Sequence, residues 1–203
     1  MIKLIQTKRT DSRLLERMKT HYSKPKGFVG RNICYAVMYN GVYYGHIIGG
    51  SATMHLKGRH DFLGTSKNDL NNIVNNIFFN LQKVDNKYPI RNFTTKVLLK
   101  FEEKIAYYWF FKYGDKVIGF ETLVELPRTG ELYKRGGWSV VGETVGYTCK
   151  RTKGNGTDSW SGKRVWNTNK DELHPKIVLC KKRAGEKRKE KEIEAPTLFN
   201  ELN

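Results

Sequence analysis

The sequence predicts an α/β (α+β) domain with a mixed sheet flanked by helices, and three observations predict it. Two segments rich in β-branched and aromatic residues, 32–39 and 42–48, flank the dipeptide Asn40-Gly41. Residues 93–113 carry an apolar stripe at helical spacing. Strand-like segments follow that stripe at 117–126, 138–148 and 176–181. The order helix, hairpin, strand, helix, strands fits helices layered on a mixed sheet.

Taken in order, residues 11–22 predict a short helix. Asp11 or Ser12 can cap it, and Leu14, Leu15 and Met18 recur at helical intervals. Lys24-Pro25-Lys26-Gly27 stops it. The Asn40-Gly41 pair then predicts an antiparallel hairpin, because both residues tolerate the positive φ of a type I′ turn. Residues 49–68 are polar and glycine-bearing and are expected to be mostly loop. Residues 71–81 (NNIVNNIFFNL) are a strand candidate whose asparagines are unusual for a buried strand. The longest helix is expected over 93–113, on Val97, Leu98, Phe101, Ile105, Tyr108 and Trp109, with Asn92 as N-cap and Gly114 as stop. Composition turns sharply to charge beyond Arg183, so residues 1–183 are expected to fold and 184–203 to form a charged tail.

The 203 residues carry 37 Lys and Arg against 20 Asp and Glu, a formal charge of +17. Such a chain attracts polyanions over long range, which points to nucleic acid. No stretch reaches the roughly 20 apolar residues of a membrane span, and the N-terminus lacks the features of a signal peptide. A cytoplasmic protein without a membrane partner is expected. Cys34, Cys149 and Cys180 form no CxxC pair, which argues against a disulfide framework or a cysteine-built zinc site. The five histidines show no metal-binding spacing, so the sequence assigns no metal site.

Several segments carry candidate chemistry. Arg91, Asn92, Thr94, Thr95 and Lys96 surround the start of the long helix, where free N–H groups make an anion site or, equally, an ordinary helix start. Glu121 and Glu125 lie four apart on a strand and so share a face, as a general acid/base pair or as surface and ion-paired residues. Tyr133 sits among basic residues and glycines, as a proton donor or a core aromatic. Trp160 and Trp166 interleave with Lys163 and Arg164, a pattern that suits base stacking and phosphate contact as well as it suits an anchored loop.

The succession HYSKP, GRNICYAV with its hairpin, NNIVNNIFF, PIRN, FETLVE and GELYKRGGWSVVGETVGYTCKR resembles the Mom family of phage DNA-modification proteins. The resemblance spans roughly residues 14–181 and is most specific in GELYKRGGWSVVGET. It implies a GNAT-like acyltransferase fold, mostly antiparallel, using acetyl-CoA. It implies conversion of DNA adenine to an N6-carbamoylmethyl derivative that protects phage or mobile-element DNA from restriction in the host cytoplasm. It places His21, Tyr22, Glu125 and Tyr133 at or near the active site, where they could also hold iron. It sets Asn75 and Phe78 on a central strand beside acetyl-CoA, and Arg91 to Lys96 at its pyrophosphate. Double-stranded DNA is the implied partner, with Arg31, Lys134, Arg135, Lys150 and Arg151 in the matching motifs joining Trp160, Lys163 and Arg164 as candidate contacts. A dimer is compatible with the sequence, which sets no oligomeric state.

Two positions depart from the family pattern. Ile90-Arg91-Asn92-Phe93-Thr94 stands where a glycine-spaced phosphate signature is usual. Glu125 stands where an aspartate is expected, which moves the carboxylate by about 1.5 Å. A non-catalytic GNAT-like DNA-binding protein, or an acyltransferase acting on an already hypermodified base, are the alternatives.

Overall fold

The computed structural model describes residues 1–23, 25–146, 148–151, 164–167 and 173–183. Seven strands form one sheet in the order β1-β2-β3-β4-β5-β9-β6, and two more form a separate ribbon. In chain order these are β1 (Ile2–Thr7), β2 (Asn32–Tyr39), β3 (Val42–Ser51), β4 (Ile73–Leu81), β5 (Gly119–Glu125), β6 (Ser139–Thr144), β7 (Thr148–Arg151), β8 (Arg164–Asn167) and β9 (Lys176–Lys182). Helices α1 (Ser12–Thr20), α2 (Arg59–Leu63), α3 (Phe93–Tyr113) and α4 (Glu131–Arg135) cover the sheet, and a 3-10 turn at Lys67–Asn72 leads into β4. Within the large sheet every pairing is antiparallel except β4 with β5.

The hairpin forms as its turn dictates. Asn40 and Gly41 take φ of 48° and 84°, and Tyr39 pairs with Val42. The second strand runs past its expected end to Ser51. Gly49 belongs to the sheet because α3 lies against it: a Cβ there would sit 2.0 Å from Ile105 Cδ1. A glycine that reads as loop in sequence is here a close approach of helix to strand. The rest of the expected loop also holds α2 and the 3-10 turn. The strand β1 was not apparent from sequence, yet it alternates cleanly, with Ile2 and Leu4 buried and Lys3 and Ile5 exposed.

Two faces of the sheet are covered for different reasons. On one, α3 buries Val97, Leu98, Phe101, Ile105 and Trp109 against Tyr35, Ile47, Val74 and Phe120. On the other, Leu14 and Met18 of α1 meet Cys34, Ile48 and Phe78. Beside them, α2 and its neighbours cover Val178 and Cys180. Asp11 caps α1 by accepting the N–H groups of Arg13 and Leu14 at 2.9 and 3.4 Å. Asn92 occupies the N-cap position of α3, as expected, but in a left-handed conformation and without a side-chain capping bond. Gly114 ends α3, also left-handed.

The sheet divides at β4 and β5. They pair in parallel only from Ile73↔Gly119 to Asn75↔Glu121. In the pairing of β4 with β3, the register slips where Asn76 and Phe78 face consecutive residues of β3, leaving Ile77 as an extra residue. Such a bulge bends its strand. Beyond it, β4 and β5 separate. Because α3 runs back along β4, with Trp109 Nε1 donating to Asn71 O at 2.9 Å, the start of α3 lies at the end where the strands diverge.

One buried group ties this core to pH. His46 is fully buried, with Nδ1 2.7 Å from the Tyr43 hydroxyl and Nε2 lacking a partner 4.0 Å from Asp11. Burial depresses its pKa from 6.5 to about 4; Asp11 opposes the shift, while Arg13 and Arg17 add to it. The unfolded chain therefore takes up the proton first as pH falls from 6.5 towards 4. Stability is full above that window and declines through it, by about 2 kcal/mol at pH 5. Urea midpoints measured between pH 7 and 5 should show this slope, and His46→Gln should remove most of it; an unchanged slope in the variant assigns it to other groups.

Candidate active site

Where β4 and β5 separate, a cavity of about 640 Å³ opens through the plane of the sheet. Asn76 and Phe78 of β4, Thr122 and Glu125 of β5, and Tyr133 of α4 form its walls, together with His21 and Tyr22 beyond the end of α1. Alternation along β5 decides which side each residue serves. Phe120 and Val124 face the α3 core, whereas Leu123 packs on the α2 side and Glu125 shares its orientation.

Tyr133 is held at the fork of the strands. Its hydroxyl donates to Asn76 Oδ1 at 2.6 Å. The Asn76 amide is oriented for this because its Nδ2 donates to the carbonyls of Ile48 and Phe78, at 2.9 and 3.2 Å. Thr122 Oγ1 donates to Asn76 O at 3.0 Å and closes the fork. Burial raises the Tyr133 pKa, with the Thr122 hydroxyl opposing, so the phenol stays protonated as a donor.

The opposite side of the cleft is built around His21. Its Nδ1 accepts from the Ser23 N–H at 3.3 Å and lies 2.8 Å from Ser23 Oγ. Burial, then the charge of Arg128, lowers its pKa, so His21 is neutral. Its Nδ1 is thus engaged by Ser23, and the ring lines the cleft. Tyr22 stacks on it at 4.3 Å and remains 41% exposed.

Glu125 reaches the cleft partly exposed, with its Oε1 3.4 Å from His174 Nδ1 and its Oε2 3.9 Å from Lys176 Nζ. Glu121 shares its face, as the alternation requires, but does not join it as a catalytic partner. It is fully buried, with Oε2 2.8 Å from the Arg59 guanidinium and Oε1 accepting the Thr53 N–H at 2.6 Å. The paired-acid expectation is thereby corrected: α2 covers one carboxylate and commits it to an arginine. Arg59 also donates to Thr53 O, so the pair holds a residue that lines the cavity.

The other expected residues are distributed. Asn75 and Phe78 line the cavity, and Asn75 Nδ2 donates to Thr53 Oγ1 at 3.0 Å. Arg91, Asn92, Thr94, Thr95 and Lys96 do not line it; they surround the start of α3 at the same end of the sheet, with Arg91, Asn92 and Lys96 exposed. Arg31 lies at the far end, paired with Asp115 and over the Tyr113 ring. Lys134 pairs with Glu131 at 2.9 Å, and Arg135 Nε donates to Glu131 O at 3.3 Å. Lys150, Arg151 and Arg164 belong to the β7–β8 ribbon, where Arg151 pairs in register with Arg164. Trp160, Lys163 and the tail lie outside the described residues.

Sequence reasoning missed Asn76, Thr122, Arg128 and Arg59. Only Asn76 left a signal, as one of the asparagines out of place in a buried strand. For iron the donors do not assemble: Nδ1 of His21 is engaged by Ser23, and among the described residues no group of three His, Cys, Asp or Glu could hold a metal ion.

No protein-family model and no curated protein matches the sequence. Solved structures match its shape. A Bacillus subtilis acetyltransferase in complex with CoA aligns over 91% of this chain and 100% of its own, with a TM-score of 0.55 at 10% identity. Aminoglycoside acetyltransferase AAC(6')-Ib with coenzyme A and kanamycin aligns over 90% and 95%, with a TM-score of 0.53 at 13% identity. A GNAT family acetyltransferase from Elizabethkingia anophelis with acetyl-CoA bound aligns over 90% and 98%, with a TM-score of 0.51 at 12% identity. The chain has the GNAT acetyltransferase fold, with its mixed, mostly antiparallel sheet flanked by helices.

Proposed function

We propose that this GNAT-fold protein is an acyltransferase that uses acetyl-CoA to modify the exocyclic N6 amine of adenine in double-stranded DNA. The observation that carries the reading is the cleft through the sheet, with the protonated Tyr133 at its fork and Glu125 on the face covered by α2.

The residues present fit acetyl-CoA. Beyond Asn75, β4 no longer pairs with β5, so backbone groups on that edge are available to an extended chain bearing amides. At the same end, the first turn of α3 offers N–H groups to a pyrophosphate, supported by Thr94, Thr95, Arg91 and Lys96. Bound there, acetyl-CoA supplies an activated acyl carbonyl and a thiolate leaving group. Glu125 accepts a proton from the attacking amine at its carboxylate. Tyr133, kept protonated by burial, donates a proton from Oη to the departing sulfur.

Charge supports a polyanionic acceptor, and the resemblance of the sequence to DNA-modification proteins supports adenine. A chain of +17 repels polycationic acceptors and draws in a polyanion. Adenine N6 is stacked in the duplex and weakly nucleophilic, so the base must leave the stack and meet a base catalyst. A substituent at N6 alters a donor that the major groove displays, which would hide the site from restriction enzymes acting on phage or mobile-element DNA. Acyl transfer forms an amide, whereas a carbamoylmethyl group is joined through CH2 and needs a different bond-forming step. No residue of the cleft is assigned to that step.

Mass spectrometry of nucleosides from DNA of cells expressing the protein tests this reading. A new adenosine species, absent with Tyr133→Phe, is expected. Its mass distinguishes an acetyl from a carbamoylmethyl group. Unmodified DNA in the presence of folded protein would favour a DNA-binding protein without catalysis.

A further inference from the structure

Four groups stack in sequence at the rim of the cleft. The Phe78 ring lies on the wall of β4, with the His21 ring 4.7 Å from it. Tyr22 stacks on His21 at 4.3 Å, and the Arg128 guanidinium caps Tyr22 at 3.7 Å. Exposure increases along the series: Phe78 and His21 are buried, Tyr22 is 41% exposed and Arg128 is exposed.

The two inner rings are fixed and the outer guanidinium is not. Phe78 packs with Leu14, Met18 and Ile48. His21 is held through its Nδ1 by Ser23. The backbone of Arg128 is pinned by its N–H to Glu125 O at 3.1 Å. Its guanidinium makes no ion pair among the described residues, although Glu125 stands close enough to Tyr22 to affect its ionisation. A planar cation resting on an exposed ring is held weakly. A nucleobase offers the same flat geometry over a larger face, and bases stack on aromatic side chains strongly enough to displace it. A guanidinium displaced by a base is then free to pair with a phosphate in fork geometry.

We propose that Tyr22 is the platform on which the acceptor's extruded nucleobase stacks, and that Arg128, which covers that ring in this structure, moves onto the adjacent phosphate of the strand. The inference rests on the reading of the acceptor as a base in DNA. It assigns Tyr22 the task of positioning the base, with Glu125 on the same rim to meet the exocyclic amine. Because Tyr22 lies on the side of His21 and α1, away from the start of α3, the platform serves the acceptor and not the adenine of the acyl donor.

The full-length Tyr22→Trp protein tests this by fluorescence against the parental chain. Single-stranded oligodeoxyadenylate should quench the added indole, and an abasic strand of equal length should not. Tyr22→Leu should raise Kd for oligodeoxyadenylate about tenfold. It should leave Kd for the abasic strand unchanged, and Tyr22→Phe should bind as the parent does. Arg128→Gln should reduce the slope of log Kd against log salt by about one phosphate contact. Equal quenching by both strands, or quenching by acetyl-CoA alone, overturns the platform. Quenching by oligodeoxyadenylate without any modified nucleoside upholds the platform and removes the enzymatic reading. Modified DNA without quenching does the reverse.

Discussion

Replacing Tyr133 with phenylalanine is expected to lower kcat for acyl transfer by roughly 10²–10⁴-fold, the range for loss of a positioned general acid. KM for the acyl donor should change little, because the lost hydroxyl acts on charge that develops as the thiolate departs. The variant also leaves Asn76 Oδ1 without its donor. Losing that buried partner should cost about 1–3 kcal/mol of stability. That cost is a fraction of a typical domain's roughly 5–15 kcal/mol, so the protein should remain folded at ordinary temperature. The two effects separate on the leaving group. An acetyl thioester of a more acidic aryl thiol needs less protonation, so the gap between parent and variant should narrow with it. If the gap is the same for both donors, Tyr133 shapes the cleft and does not supply the proton.

The largest effect on stability is expected at Arg59 and Glu121. Both side chains are fully buried, and their separation is 2.8 Å. Removing one charge strands the other in the interior, at a cost of about 3–5 kcal/mol. Glu121→Gln keeps the shape and removes the charge, so its urea midpoint should fall sharply. Arg59→Leu should fall as far, because Thr53 and Met54 lose a donor to their carbonyls as well. The double variant Arg59→Leu with Glu121→Leu should recover part of the loss, since it strands no charge, although the Thr53 N–H and the Thr53 and Met54 carbonyls still lose their partners. If Glu121→Gln shifts the midpoint by less than about 1 kcal/mol equivalent, the pair is not the buried charge couple its geometry implies. At temperatures where it is folded, Glu121→Gln should keep acyl transfer in proportion to the folded fraction, whereas a catalytic role would abolish it.

These two sites show how differently the sequence speaks about neighbouring residues. Period-two alternation in β5 correctly placed Glu121 and Glu125 on one face, because a strand's own geometry fixes that relation. Their fates diverge because α2 covers one and leaves the other at the cleft. Arg59 is 62 residues from Glu121 in the chain, and nothing in its polar surroundings marks it as buried. Tyr133 was apparent only through a motif, since its partner Asn76 is 57 residues away. The asparagines of β4 were visible as an anomaly, and the structure supplies the reason: Asn76 replaces a missing strand partner with side-chain bonds at the fork.

What the sequence determined by itself is what adjacent residues decide together. Asn40-Gly41 sets a turn through its own backbone preferences, Asp11 caps α1 within its own first turn, and the apolar stripe of α3 selects a helix and the face it buries. The excess of 37 basic over 20 acidic residues is likewise a property of composition, independent of the fold. Only the tertiary structure decided the strand order, the bulge at Ile77, the opening between β4 and β5 and the stack of Arg128 on Tyr22. Each of these depends on groups far apart in the chain competing for the same space, and burial then sets which of them keep their charge, their proton or their freedom to move.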